Sequence, residues 1–154
     1  VSLADLARLT DMFYIAGTKC GAIAGEALVV TAKYRIPHLL TTIKQRGALL
    51  AKGRLIGIQF DTLFPDALYF KISRHAIEMA DMLRELFASK GYEFFIPTVT
   101  NQIFIVLENS KMEKLSENVA FGFWEKKDDT HTVVRFATSW STTKEDIEYL
   151  KSIL

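Results

Sequence analysis

The 154 residues carry 19 Lys and Arg against 18 Asp and Glu, a formal net charge of +1, and 49% of them are hydrophobic. That balance excludes a disordered chain and leaves no global field to draw in nucleic acid or an anionic membrane, while a chain of this length can bury roughly 68 to 70% of its unfolded surface around a true core. The single cysteine, Cys20, excludes an internal disulfide and a multi-cysteine zinc site, and no apolar run approaches the roughly 18 residues of a membrane span, so a reducing, cytoplasmic setting is the expectation.

Residues 1–5 lack the basic and apolar regions of a secretory signal. With no initiator methionine and a core-like pattern from the outset, the chain is expected to lack an upstream segment. The short apolar runs at 12–16 and 27–31 predict two buried strands, joined through the glycine-bracketed turn Gly17-Thr18-Lys19-Cys20-Gly21-Ala22. The pattern predicts a helix over 37–50 and a second over 55–64.

Pro65 then precedes the clearest helical stripe, Leu68, Ile72, Ala76, Met79, Leu83 and Leu86, with Gly91 placed to end it. Beyond it the period shortens, and 92–96, 103–107, 119–124 and 132–137 read as strands, interrupted by a polar helix near 110–117. Thr142 or Thr143 can cap a last helix with Ile147, Leu150 and Ile153 on one face and Glu145 and Asp146 near its positive end. The expected class is α/β, with a division into 1–64 and 65–154 and the boundary near 62–66. The second part is a small α+β domain on an antiparallel sheet.

Two residues stand out chemically. Lys19 lies between Gly17 and Gly21 and between two apolar strands. Burial there would lower its pKa and raise the neutral amine fraction that an imine-forming lysine needs, although the same pattern suits an exposed lysine at a hairpin tip. Arg135 sits mid-strand between Val134 and Phe136, where an unpaired guanidinium is costly. It is expected to face a polar partner or a ligand carboxylate, or else solvent, on a face shared with Val133 and Ala137 and opposite Val134, Phe136 and Thr138.

Lys44 and Arg46 form a basic pair at a helix end, with Lys52 and Arg54 close behind in sequence. His38, His75 and His131 are too dispersed for metal-ligand spacing, so no metal is expected. Cys20 is expected to be a small buried filler, and Trp124 and Trp140 to lie in the small-domain core or an interface.

The segment 11–22, continued by Gly25-Glu26-Ala27-Leu28-Val29-Val30, resembles the lysine segment of the threonine aldolase and β-eliminating lyase family of aspartate-aminotransferase-like enzymes. Segments 43–54, 100–105 and 133–140 resemble later parts of the same family in the same order, so the likeness spans essentially the whole chain. It implies the carboxy-terminal half of a fold type I pyridoxal-phosphate enzyme: the end of the large domain followed by the small domain.

The resemblance further implies that Lys19 forms the Schiff base to pyridoxal 5'-phosphate and that Arg135 binds the substrate carboxylate. It puts Thr18, where the family more often shows serine, and Lys44 near the cofactor phosphate; Lys52 and Arg54 compete with Lys44 for that role. The implied reaction is cleavage of the Cα–Cβ bond of an L-threonine-like β-hydroxy amino acid to glycine and an aldehyde, with the cofactor as electron sink. β-Elimination and a non-catalytic structural module are the alternatives.

In the family the phosphate cup, the carboxylate that pairs with the pyridine nitrogen and the group stacked on the ring lie upstream of the lysine. This chain begins too late to contain them, so by itself it is expected to bind the cofactor poorly and to show no turnover. The implied partners are a small amino-acid substrate, the missing amino-terminal half of the same enzyme, and further copies in a homodimer or homotetramer.

Overall fold

Six α-helices and two antiparallel sheets make up residues 2–154, the part that the computed structural model describes. The chain divides after Tyr69 into two units.

The first unit opens with a helix that the hydrophobic pattern did not announce, α1 (Leu3–Leu9). Its signal is a capping box: Ser2 Oγ accepts from the Asp5 amide at 3.2 Å while the Asp5 carboxylate accepts from the Ser2 amide at 2.9 Å. Strand β1 (Met12–Ala16) pairs antiparallel with β2 (Glu26–Val30), Met12 opposite Val30 and Ala16 opposite Glu26.

The two strands form as expected but are not buried. Tyr14 and Leu28 face each other across the ladder, and both are exposed. A ribbon of two strands gives each strand a single neighbour, and here its alternate side chains stay at the surface. The helix expected over 37–50 shrinks to α2 (Leu39–Gln45). It starts from His38 at φ +53° and stops before Gly47 at φ +74°; a left-handed residue at each end halts the helical hydrogen-bond ladder, and 51–53 run as turns. Helix α3 (Arg54–Leu63) follows, then one turn of 3₁₀ helix (Pro65–Ala67).

Helix α4 (Leu68–Ser89) carries the chain into the second unit and buries Met79, Ala80, Leu83, Leu86 and Phe87. It ends as predicted at Gly91: φ of +78° lets the Gly91 amide reach the Ala88 carbonyl and the Tyr92 amide the Phe87 carbonyl, both at 3.0 Å.

The sheet has the order β3-β4-β6-β5, antiparallel throughout, from β3 (Phe94–Ile96), β4 (Gln102–Glu108), β5 (Gly122–Lys126) and β6 (His131–Ala137). The strand expected over 119–124 therefore starts three residues later. Val119 and Phe121 instead pack against the core from the connection after α5 (Asn109–Ser116).

One sheet face, with Ile103, Ile105, Val134 and Phe136, packs on α4 and on α6 (Lys144–Ile153). Phe87 sits at the centre, its ring 5.0 Å from that of Phe136 and 5.6 Å edge-on from that of Tyr92. Thr143 caps α6 reciprocally with Asp146. The other face carries a small cluster of Phe104, Val106 and Val133, with Trp124 edge-on to Phe104 at 4.8 Å. Neither tryptophan belongs to the core: Trp124 lies on the edge strand β5 and Trp140 in the turn after β6, and both are about half exposed. Among the described residues no helix is long and apolar enough to cross a membrane.

Candidate active site

The turn that carries Lys19 is held from below by close backbone contacts. The Cys20 and Ala22 amides donate to the Gly17 carbonyl at 2.9 and 3.0 Å, and the Gly17 amide donates to the Gly25 carbonyl at 3.4 Å. A Cβ on Gly17 would stand 2.8 Å from Ala22 Cβ and 2.9 Å from Phe60 Cζ, and one on Gly25, at φ +92°, only 2.5 Å from Ile56 Cγ2. The missing side chains thus let the turn settle onto α3.

Gln59 of α3 clamps the far limb. Its Oε1 accepts from the Ile23 and Ala24 amides at 2.6 and 3.4 Å, and its Nε2 donates to the Ala24 carbonyl at 3.4 Å. Tyr69 Oη donates to the Ala16 carbonyl at 3.0 Å. Burial, with the Cys20 thiol beside it, pushes the Tyr69 hydroxyl up to about 12.

Gly17 and Ala22 are buried while Thr18 and Lys19 stand exposed at the crest. The expected burial of Lys19 is therefore not supplied here, because the contacts that anchor the turn are made by its ends. Lys19 forms no hydrogen bond or ion pair among the described residues. Cys20 is half-buried and engaged with Tyr69, so it is a partner in the turn and not an inert filler.

Thr18 adjoins the lysine in sequence. Lys44 lies in the last turn of α2, Lys52 and Arg54 lie before and at the start of α3, and all three are exposed. No hydrogen bond among the described residues ties them to the lysine turn.

Arg135 belongs to the second unit and lies on the open face of the sheet, with Val133 and Ala137 and away from the core residues Val134 and Phe136. Its cross-strand neighbours are Phe104 and Gly122. The polar partner expected for it is Gln102, whose Oε1 accepts from Nη1 at 3.3 Å. A Cβ on Gly122 would lie 3.6 Å from both Nε and Nη2, so the guanidinium extends over a glycine that leaves it room. One of five N–H donors is used, and the rest can meet a carboxylate in the planar fork that guanidinium offers.

Gln102 and Gly122 escaped the sequence reading because cross-strand register decides who meets Arg135, and register is not written in either segment. Gln59 and Tyr69 left a fainter trace, as polar groups among the apolar residues of 55–70. The histidines have structural parts: His75 Nε2 meets the Thr142 carbonyl at 2.7 Å, and His131 Nδ1 lies 3.2 Å from Asp128. Among the described residues no three His, Cys, Asp or Glu side chains gather as a metal site.

No protein-family model and no curated protein matches the chain. Solved structures do. A threonine aldolase of Leishmania major matches with a TM-score of 0.92 and 38% identity over 99% of this chain and 45% of that one. A serine palmitoyltransferase of Sphingomonas wittichii matches with a TM-score of 0.65 and 12% identity over 97% of this chain and 40% of that one, which speaks to fold alone. Both are fold type I pyridoxal-phosphate enzymes. The likeness to the threonine aldolases thus holds along almost the whole chain, and the architecture is that of a carboxy-terminal fragment of the aminotransferase-like fold. The chain spans less than half the length of either structure.

Proposed function

We propose, for a chain with the fold of the carboxy-terminal part of a fold type I pyridoxal-phosphate enzyme, that the full-length protein cleaves L-threonine-like β-hydroxy amino acids to glycine and an aldehyde. The observation that carries this is the 38% identity to a threonine aldolase over 99% of the chain, in a molecule whose turn between β1 and β2 presents a lysine with no hydrogen bond or ion pair among the described residues.

The residues present fit the cofactor. A primary amine that has no ion pair to break, next to a hydroxyl at the crest of a held turn, suits an aldehyde-bearing phosphate ester. When bound, pyridoxal phosphate supplies the electron sink for the pair left on Cα as the Cα–Cβ bond breaks. Lys19 Nζ is the amine that would hold the cofactor. Thr18 Oγ1 and the Lys44 ammonium are donors for the phosphate.

Arg135 anchors the substrate carboxylate through its free N–H groups while Gln102 steadies Nη1. Fixing that carboxylate fixes which bond at Cα is set for cleavage, an orientation effect. Residues upstream of this chain would supply the phosphate cup and the partner of the pyridine nitrogen, so the 154 residues alone would bind cofactor weakly and turn over nothing. Self-association as a dimer or tetramer in the cytoplasm completes the proposal.

The test is to saturate the full-length protein with pyridoxal phosphate, reduce with borohydride, and locate the modified peptide by mass spectrometry. Label on Lys19 with release of glycine and an aldehyde is the expected result. Ammonia with a 2-oxo acid would redirect the assignment to β-elimination, and an unlabelled Lys19 in folded, cofactor-saturated protein would leave only a structural module.

A further inference from the structure

The lysine turn rests on a hydroxyl that the proposed chemistry does not use. Tyr69, 53 residues from Ala16, donates from Oη to the Ala16 carbonyl at 3.0 Å. The Cys20 thiol is a hydrogen-bond partner of the same oxygen. Ala16 and Cys20 bracket Gly17-Thr18-Lys19, so one hydroxyl ties both ends of the segment that carries the lysine.

The ring is itself held. It stacks on Phe64 with centroids 5.5 Å apart and planes 4° apart, and Phe64 stacks on Phe60 at 6.2 Å. Phe60 in turn stands where a Cβ on Gly17 would come within 2.9 Å of its Cζ. Phenylalanine at position 69 would preserve this ladder without placing a hydroxyl in a half-buried site where it must find a partner. Packing alone therefore does not account for tyrosine.

We propose that Tyr69 is a positioning residue for Lys19: by holding the Ala16 carbonyl and the Cys20 thiol, it fixes the backbone from which the lysine side chain departs and so confines Nζ. This rests on Lys19 being the cofactor lysine. Loss of the hydroxyl leaves the glycine contacts and the Gln59 clamp in place, so the turn survives but residues 18–20 gain freedom. A displacement of about 1 Å in a reacting group can cost roughly 100-fold in rate, and a turn still anchored elsewhere should lose about tenfold.

The experiment compares wild-type full-length protein with Tyr69→Phe, Cys20→Ala and Cys20→Ser, all loaded with pyridoxal phosphate. For Tyr69→Phe the expected result is label still on Lys19, kcat lower by about tenfold, KM for the amino acid within about twofold, and a displaced pH midpoint of the cofactor's visible absorption. Cys20→Ala should lose about threefold in kcat and Cys20→Ser should restore it.

Wild-type kcat and absorption midpoint in Tyr69→Phe, with Lys19 labelled, would overturn the positioning role and leave the aldolase assignment standing. Should Tyr69→Phe fail to fold, wild-type behaviour of Cys20→Ala would overturn it in the same way. Absence of label on Lys19 in the wild type would remove the parent assignment and this proposal with it.

Discussion

The two units solve the problem of burial differently. The second covers one face of a four-stranded sheet with α4 and α6 and brings Phe87, Ile105 and Val134 to essentially zero exposure. The first has a two-stranded ribbon and short helices, and of its large apolar side chains among the described residues only Leu63 is buried, while Tyr14, Leu28, Leu55 and Ile58 are not. Yet the first holds the lysine. The difference teaches that the turn beneath a candidate cofactor lysine can be anchored by a few single contacts, here at two glycines, a glutamine and a tyrosine, without a core of its own, whereas the arginine of the second unit is placed by the register of a sheet packed on a core.

The largest expected effect breaks function and leaves folding alone. Lys19→Ala in the full-length protein should lower turnover by more than ~10³-fold and abolish borohydride labelling. In the 154-residue chain, whose tryptophans Trp124 and Trp140 both lie in the second unit, the same substitution should leave the fluorescence melt in place. A shifted melt would show that the turn and the core are not separable.

Truncation compares the units directly. Phe87→Ala should cost ~3–5 kcal/mol in denaturant unfolding, whereas Leu55→Ala, at 60% exposure, should stay within ~0.5 kcal/mol in this chain. Equal losses would mean that the two units bury their apolar side chains alike.

Gly17→Ala should cost ~1–3 kcal/mol, since the new methyl meets Ala22 and Phe60 below 3 Å. Faster modification of the Cys20 thiol, the chain's only one, would report the loosened turn. On the open sheet face, Gln102→Leu should raise KM for the amino acid by roughly two- to tenfold with kcat little changed, the scale of one net hydrogen bond. An unchanged KM would detach Gln102 from Arg135's proposed role.

The smallest effects are in pH, and they have opposite signs for carboxyls and for tyrosines. In the second unit, the Thr130 amide and hydroxyl and then His131 hold the Asp128 carboxyl below its ordinary 3.8, and the Thr143 amide and hydroxyl hold Asp146 below the same value. A lowered carboxyl stabilises the fold above pH 3.8 and loses that contribution as pH falls through its folded value. An acid titration followed by tryptophan fluorescence should therefore become flatter in Asp128→Asn. In the first unit, Tyr69 is raised from 10.0 to about 12. Its contribution is complete below pH 10 and fades as pH rises toward 12, so its tyrosinate should appear late in the absorbance titration, as should that of Tyr92, which burial also raises.

Much of the fold was legible in the sequence. The stripe from Leu68 to Leu86 with Gly91 behind it gave α4 and its end, because a 3.6-residue period and a left-handed glycine are local properties. The polar helix was legible too, as was a threonine cap at 142 or 143, which the structure gives to Thr143. The strand placed at 119–124 slid to Gly122–Lys126, because Val119 and Phe121 are apolar on account of the core they touch and not of the ladder.

The sequence by itself determined the family likeness, the class of the fold, the lysine between two glycines and the alternation that sets Arg135 against Val134 and Phe136. These depend on residue order and on periods of two or 3.6, which a linear chain displays. Only the tertiary structure decided that β1 and β2 lie exposed, that Lys19 stands clear of the contacts holding its turn, that Gln102 and Gly122 attend Arg135, and that Tyr69 reaches back to Ala16. Each of these rests on partners distant in the chain, and which of many compatible side chains meet across space is set by packing and register, neither of which is encoded in the spacing of any one segment.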